Sequence, residues 1–162
     1  MTEGDLRKQA WDFFQMQASQ RLTTFNFYIA LSSLLSGGMA ASFNTNIKIP
    51  YLGLLLGSML ILFSLIFWKL DNRNRDLIRS AEETLKYFER QAPIEDDDGM
   101  PHIAKRFLRE EFDTNVKMAT NSWRFWRNYY TYTFSFQIVF LTFAIFGILG
   151  STFSILLVAK KI

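Results

Sequence analysis

Side chains able to carry acid–base or metal chemistry are few in this chain and show no catalytic spacing. The single histidine, His102, has no second histidine and no cysteine with which to share a metal, because the sequence contains no cysteine. Residues 95–99, Glu-Asp-Asp-Asp-Gly, have the composition of part of a calcium loop but lack its alternating ligand spacing and its closing glutamate. We therefore interpret His102 as a solvated surface residue and residues 95–99 as a flexible acidic linker.

Motifs for nucleophilic catalysis and for phosphate binding are also missing. A catalytic serine or threonine needs a neighbouring base, and the hydroxyl residues here lie mainly in apolar stretches without His, Asp or Glu. The glycines form neither a P-loop nor a dinucleotide-binding loop. We therefore expect no enzymatic activity, no metal and no cofactor, and a membrane enzyme acting on lipid is the weakest functional hypothesis.

Three long stretches without a formal charge dominate the rest of the chain. They lie between Arg21 and Lys48, between Lys48 and Lys69, and between Arg127 and Lys160. About 20 apolar residues in a helix cross the hydrocarbon core of a bilayer, and a helix satisfies its own backbone hydrogen bonds there. The sequence therefore predicts an all-α membrane protein with three transmembrane helices.

The predicted helices fall into four segments along the chain. In order, these are an amphipathic N-terminal helix (1–20), a transmembrane hairpin of spans 1 and 2 (21–70), a cytoplasmic helical hairpin (71–130) and the third transmembrane helix (131–159). Pro50 suits the first turn of the second span, and Pro93 ends the first helix of the cytoplasmic hairpin. Because nothing breaks the helix that starts near Pro101, we predict that it continues into the third span as one long helix.

Lysine and arginine residues are distributed unevenly about the apolar stretches. With a cytoplasmic N-terminus, fifteen of them lie on the cytoplasmic side, and only Lys48, Lys160 and Lys161 lie outside. An excess of Lys and Arg in short loops marks the cytoplasmic side, so the sequence predicts that the N-terminus is cytoplasmic. The third stretch is longer than a bilayer requires, and either strong tilt or a re-entrant bend at residues 147–151 accommodates it.

Small residues spaced four apart within the first two spans predict close helix packing. Ser32 and Ser36 lie in the first span, and Gly53 and Gly57 form a GxxxG motif in the second. Such spacing lets helix backbones approach each other in lipid. The contact is either within the first hairpin or between subunits.

Polar residues within the spans are the second feature of interest. Asn26, Ser135, Gln137 and Thr142 need hydrogen-bond partners or water at that depth. They either form interhelical hydrogen bonds or line a water path in an oligomer. No Asp, Glu, Lys or Arg lies deep in a predicted span, so an ion-coupled transporter lacks its usual residues.

The predicted cytoplasmic hairpin carries an apolar stripe at close to heptad spacing. The residues that we predict to dock a partner are Leu77, Leu85, Phe88, Phe112 and Trp123. The segment 69–127 is nearly neutral, whereas nucleic-acid binding needs a basic stripe. We therefore expect no nucleic-acid partner, and the basic residues beside the spans suit anionic lipid headgroups.

One resemblance covers roughly the first ninety residues. An amphipathic lead-in, the stretch Gln-Arg-Leu-Thr-Thr-Phe-Asn-Phe-Tyr-Ile-Ala-Leu-Ser-Ser at residues 20–33, a tight hairpin, and a polar helix after Phe-Trp-Lys-Leu-Asp at residues 67–71 together resemble the SLATT-type membrane effectors of bacterial antiphage defence. The resemblance implies a multi-pass protein that assembles in the bacterial inner membrane and breaches it when a partner sensor or a nucleotide signal triggers it. The third span departs from the two-span pattern of that group.

The leading functional hypothesis is therefore an oligomeric inner-membrane effector that opens a pore or disrupts the membrane, in antiphage defence. The expected partners are the lipid bilayer, further copies of the chain, and a cytoplasmic protein or small signal. The alternative is a non-conducting membrane anchor, assembly factor or immunity subunit that binds a partner through its cytoplasmic helices. Membrane leakage on expression separates these two hypotheses.

Overall fold

Four α-helices joined by loops make up the computed structural model, which describes residues 2–43, 49–97, 100–120 and 132–159. The helices are α1 (Glu3–Ser42), α2 (Pro50–Gln91), α3 (Arg106–Thr120) and α4 (Tyr132–Ala159). Within these ranges no strand forms, and Asp97 and Met100 make an isolated bridge in the loop before α3. The prediction of an all-α fold is confirmed.

Helix α1 begins with a reciprocal cap. The amide of Asp5 donates to the hydroxyl of Thr2, and the amide of Thr2 donates to the carboxylate of Asp5 at 2.8 Å, which satisfies two backbone donors that a helix leaves unpaired at its start. The hydrogen bonds to Thr2 hold the pKa of Asp5 below its usual value. The predicted N-terminal helix and the predicted first span form this one helix of 40 residues.

Helix α2 starts at Pro50 and ends at Gln91, two residues before Pro93. Proline suits the first turn because its missing amide would be unpaired there, and a proline after the helix prevents its continuation. The helix has 42 residues, so at 1.5 Å per residue it is about 63 Å long, roughly twice the thickness of a bilayer core. Only its first half is apolar, as the sequence predicts.

Two helices in the described part of the chain are long and apolar enough to cross a membrane. They are α2 and residues 134–159 of α4. Helix α1 does not meet that criterion, because Thr24, Asn26, Ser33 and similar residues dilute the predicted first span. The first of the three predicted spans is therefore not confirmed. The predicted continuity between the cytoplasmic helix and the third span concerns residues 121–131, which lie outside the described residues.

The chain divides into two compact units. The charged unit comprises Met1–Gln20 and Asn74–Tyr130, and the apolar unit comprises Arg21–Arg73 and Thr131–Ile162. Tyr28, Phe136 and Phe140 form the buried core of the apolar unit. The charged unit contains the start of α1, the second half of α2 and all of α3, with Ala81 and Leu85 buried between them.

Candidate functional site

Glycines on α2 and α4 form a close helix contact in the apolar unit. A Cβ atom on Gly57 would overlap the Ser151 hydroxyl and lie 3.0 Å from the Gly147 carbonyl oxygen. A Cβ atom on Gly147 would lie 2.8 Å from the Gly57 carbonyl oxygen, and one on Gly53 would lie 2.7 Å from the Ser154 hydroxyl. The structure thus places the GxxxG motif of α2 against α4 of the same chain, a close approach that small residues permit.

A buried hydrogen bond joins α1 to α2 in the same unit. The hydroxyl of Ser64 donates to the carbonyl of Leu60 at 2.7 Å, so the Tyr28 hydroxyl donates its hydrogen to Ser64 at 2.8 Å. The rings of Phe67 and Phe140 surround Tyr28, with centroids 5.2 and 4.7 Å from its ring. A buried hydroxyl that is fully paired avoids a desolvation cost, and the pair fixes the register of the two helices.

An ion pair between Arg21 and Asp71 links the ends of the apolar stretches of α1 and α2. The guanidinium donates to both carboxylate oxygens, at 2.6 and 3.1 Å, and the Asp71 side chain is 5 % exposed. The same guanidinium lies 5.0 Å from the centre of the Phe136 ring on α4, and Phe136 stacks on Phe25 at 3.7 Å. We call Arg21, Asp71 and Phe136 the ionic clamp, since it holds all three helices of the unit.

Most of the polar residues predicted to line a water path face outward from the apolar unit. Asn26, Ser135 and Thr142 are exposed and Gln137 is half-buried. The Thr142 hydroxyl donates to the carbonyl of Ile138 in its own helix at 2.8 Å, which satisfies it without another helix. These residues do not meet inside one subunit, so a path lined by them requires several copies of the chain.

A different set of hydroxyls lies inside the apolar unit. The hydroxyls of Ser32 and Ser36 on α1, and of Ser151 and Ser154 on α4, are buried without a hydrogen-bond partner among the described residues. The sequence marks Ser32 and Ser36 through their spacing, but it gives no sign of Ser151 and Ser154. We call these four residues the serine seam.

In the charged unit, the predicted docking residues are largely turned inward. Leu85 is buried, and Leu77, Phe88 and Phe112 are half-buried, whereas Trp123 lies outside the described residues. Leu85 thus contributes to the core of this unit, and the half-buried residues leave part of their surface uncovered. Contact with a partner through these side chains stays a prediction.

The start of α3 is fixed by a carboxylate from α2. The two oxygens of Glu89 accept hydrogen bonds from the amides of Phe107 and Leu108, at 3.3 and 3.0 Å. A negative charge at a helix N-terminus satisfies free amides and complements the helix dipole. On the same side of α2, Lys86 pairs with Glu83 and with Glu111 of α3, so two polar contacts join the helices.

The loop between α2 and α3 is held by Lys105, which is buried and forms an ion pair with Asp96 at 2.9 Å. The hydrogen bond from Lys105 holds the pKa of the Asp96 carboxyl below its usual value. The Nδ1 atom of His102 accepts a hydrogen bond from the amide of Ala104. His102 and Asp96 therefore help to shape a turn, and across the described ranges no group of three His, Cys, Asp or Glu residues could hold a metal ion.

Burial raises the pKa of Glu82, which lies on α2 in the charged unit, and the positive charge of Lys86 offsets part of that effect. Glu82 lies among further carboxylates, since Glu83 and Glu110 also raise its pKa. The polar contacts of the charged unit suit helix packing and the binding of a ligand or partner.

Comparison with known proteins adds a family and a relative. A family model described as "Octameric membrane protein family (8xMP)" matches residues 5–157. A curated relative, CD-NTase-associated protein 19 of Escherichia coli, is 41 % identical over 81 residues, which is 50 % of this chain and 54 % of that protein. The chain thus spans about half the length of this relative. No solved structure matches the chain. The family description agrees with the predicted membrane protein, whereas the narrower resemblance to SLATT-type effectors is not confirmed.

Proposed function

The chain belongs to the octameric membrane protein family, and we propose from this premise that it is a homo-oligomeric effector of the bacterial inner membrane. In this proposal, several copies, eight by the description of the family, open a path through the bilayer when a partner or a small signal triggers them. The link to antiphage defence rests on the sequence resemblance and on the relative, whose printed name describes it as CD-NTase-associated.

The observation that carries the proposal is the outward apolar surface of α2 and α4. Only 22 % and 17 % of their apolar windows are buried within the chain, and Leu55, Leu62, Leu141, Leu149 and Leu156 are all more than half exposed. Monomeric soluble proteins rarely expose contiguous apolar surface of this extent. Lipid and neighbouring copies of the chain together are the partners that suit such a surface.

We also propose that residues 22–43 of α1 form a membrane span despite their lower hydropathy. Within the apolar unit, α1 packs along α2 from the Tyr28–Ser64 hydrogen bond to the contact of Ser42 with Gly53. A helix that follows a spanning helix over this length lies at the same depth, and the hydroxyls of Tyr28 and Ser32 are shielded there by protein. The count of Lys and Arg residues then favours a cytoplasmic N-terminus.

Fusions to alkaline phosphatase, which is active only outside the cytoplasm, test this topology. Three spans predict an active fusion after Ala159 and an inactive one after Gln91. The fusion after Gln91 is the matched control, because it has the same reporter and lies in the predicted cytoplasmic segment. An active fusion after Gln91 with an inactive one after Ala159, at equal protein levels, contradicts three spans with a cytoplasmic N-terminus and favours two spans formed by α2 and α4.

Conduction is tested with the outward polar residues. We expect the chain, expressed with its genomic neighbours and triggered, to depolarise cells, and the Asn26→Leu variant with Ser135→Ala to slow depolarisation several-fold. Both side chains are exposed on the subunit, so the changes spare its core. Ser58→Ala is the control, because the Ser58 hydroxyl is exposed and already bonds to the Leu55 carbonyl in its own helix.

The assembled state is measured on the same samples. Mass photometry in detergent is expected to give a particle several times the 19.0 kDa of one chain. A monomer under mild detergent contradicts an oligomeric effector. An oligomer that never depolarises cells contradicts conduction and favours the non-conducting anchor or immunity subunit.

A further inference from the structure

The outward face of α1 in the apolar unit differs in composition from that of α2. Between residues 22 and 41, α1 exposes polar side chains such as those of Asn26 and Ser33. The outward face of α2 exposes large apolar side chains, among them Leu55 and Leu62. Hydrocarbon suits the face of α2, but it offers an exposed amide or hydroxyl no hydrogen-bond partner. The outward face of α1 therefore needs protein or water beside it.

Exposed residues recur along this part of α1 at alternating steps of four and three. We call them the heptad face, and they are Thr23, Phe27, Ala30, Leu34, Gly37 and Ala41. A repeat of 3.5 residues is the pattern with which two helices pack along one another, and small residues within it let membrane helices approach closely. A Cβ atom at Gly37 would meet nothing within 4 Å in the chain. The heptad face thus has the pattern of a helix contact but is left uncovered by its own subunit.

The two edges of the heptad face carry different side chains. Phe27 and Leu34 lie on one edge and are 61 % and 73 % exposed. Asn26 and Ser33 are exposed on the other edge, because adjacent residues of a helix point about 100° apart. Unlike edges fit a ring of subunits, in which each copy presents one surface to one neighbour and a different surface to the next.

Neither water nor lipid alone suits a face of this kind. Water would leave the large side chains of Phe27 and Leu34 hydrated, which is unfavourable, and lipid would leave Asn26 and Ser33 without partners. A second copy of the same face meets both requirements. Its large side chains fill the space beside the small residues, and its polar edge is shielded by protein.

We propose that neighbouring copies of the chain meet along the heptad face of α1, with Leu34 of one copy seated beside Ala30 and Ser33 of the next. The inference rests on the proposed function, which it deepens by naming the surface on which the copies assemble. Copies inserted by the same route have parallel α1 helices, so residues with similar numbers lie at the same depth. The description of the family supplies the number of copies, and the composition of α1 supplies the contact between them.

Disulfide cross-linking between copies tests this contact, and the chain contains no cysteine that would interfere. Two differently tagged chains are expressed together, one with Leu34→Cys and the other with Ser33→Cys, and the membranes are oxidised before extraction. A disulfide needs Cα atoms within about 7 Å of each other. We therefore expect a product that carries both tags and has twice the 19.0 kDa of one chain. The matched control is Met59→Cys with Ser58→Cys, an exposed neighbouring pair on α2, which is expected to give several-fold less product.

A large residue on the small edge tests the same contact through assembly, measured by mass photometry. Ser33→Leu fills the space for Leu34, and we expect it to weaken the association of copies about tenfold or more, as overpacking of a close contact does. Ser33 is exposed, so the subunit is expected to keep its helix content. Ser58→Leu is the matched control, because it makes the same change at an exposed serine of α2 and is expected to leave assembly unchanged. If Ser33→Leu loses helix content, Leu34→Ala carries the test, because it removes the large side chain instead of adding one.

Two results would overturn this interface. They are an oligomer in which the α1 cysteine pair gives no more product than the α2 pair, and an oligomer that the α1 variants leave intact. Either result contradicts only this inference, because the assembly that the proposed function needs is still present. A monomer of the unchanged chain contradicts the proposed function as well, and a cross-linked oligomer that never depolarises cells supports the interface and contradicts conduction alone.

Discussion

Asp71→Asn is expected to destabilise the protein by about 3–5 kcal/mol, because it removes the buried carboxylate of the ion pair with Arg21. The Asp71 side chain is 5 % exposed and that of Arg21 is 13 % exposed, so water does not replace the lost partner. In a chain of this size a loss of that magnitude lowers the melting temperature by roughly 10 °C. Circular dichroism of the detergent-solubilised protein measures it.

Two further variants identify the cause. The double variant Arg21→Gln with Asp71→Asn removes both charges, and we expect it to be more stable than Asp71→Asn alone, because no unpaired charge remains. Glu83→Gln removes an exposed partner of Lys86, which keeps Glu111 as its second partner, and is expected to cost less than about 1 kcal/mol. Equal losses in the single and double variants would mean that the charge left on Arg21 does not cause the loss of stability.

Gly57→Leu is the second change expected to have a large effect. Its first added carbon would overlap the hydroxyl of Ser151 and lie 3.0 Å from the carbonyl oxygen of Gly147. A side chain can turn away, but a backbone carbonyl can move only with its whole helix. We therefore expect α2 and α4 to separate, with a cost of about 3 kcal/mol or more, at the upper end for overpacked cores.

The readouts for Gly57→Leu are the melting temperature and the yield of assembled protein from membranes. Gly37→Ala is the control, because a Cβ atom at Gly37 meets nothing within 4 Å in the chain. Alanine favours a helix over glycine by about 1 kcal/mol, so this variant is expected to be as stable as the unchanged protein or slightly more stable. A Gly57→Leu protein that melts and assembles normally would show that the close approach of α2 and α4 is not needed.

Much of the architecture follows from local sequence and could be predicted. Long uncharged stretches need helices in lipid, which gives the all-α fold and the apolar halves of α2 and α4. Pro50 and Pro93 mark the limits of α2 through backbone geometry that no distant contact alters. The spacing of Gly53 and Gly57 likewise indicates a close helix contact before any partner helix is known.

Contacts between distant residues could not be predicted. Arg21 and Asp71 are 50 residues apart, and each simply marks the end of an apolar stretch in the sequence. The GxxxG motif does not reveal that its partner is Gly147, because α4 could approach α2 from several directions. Glu89 is one of many charged residues on α2, and only the fold shows that it accepts the first amides of α3.

Helix α1 shows why mean hydropathy is an incomplete criterion for a membrane span. Its serines, threonines and Asn26 lower the average below that of a typical span, yet Tyr28 and Ser32 are fully buried between helices of the apolar unit. A polar side chain that is shielded by protein does not meet hydrocarbon. An average over sequence cannot include this shielding, so it understates how well such a helix fits a membrane.

The serine seam has a consequence for how the apolar unit would respond to movement. Any widening between α2 and α4 uncovers the hydroxyls of Ser151 and Ser154, which lie against Gly57 and Gly53, instead of hydrocarbon alone. Water hydrates a polar crevice readily but stays out of an apolar cavity of the same size. A gap at this seam would therefore fill with water, and the hydrated hydroxyls would hold it open against the tendency of apolar helices to close again.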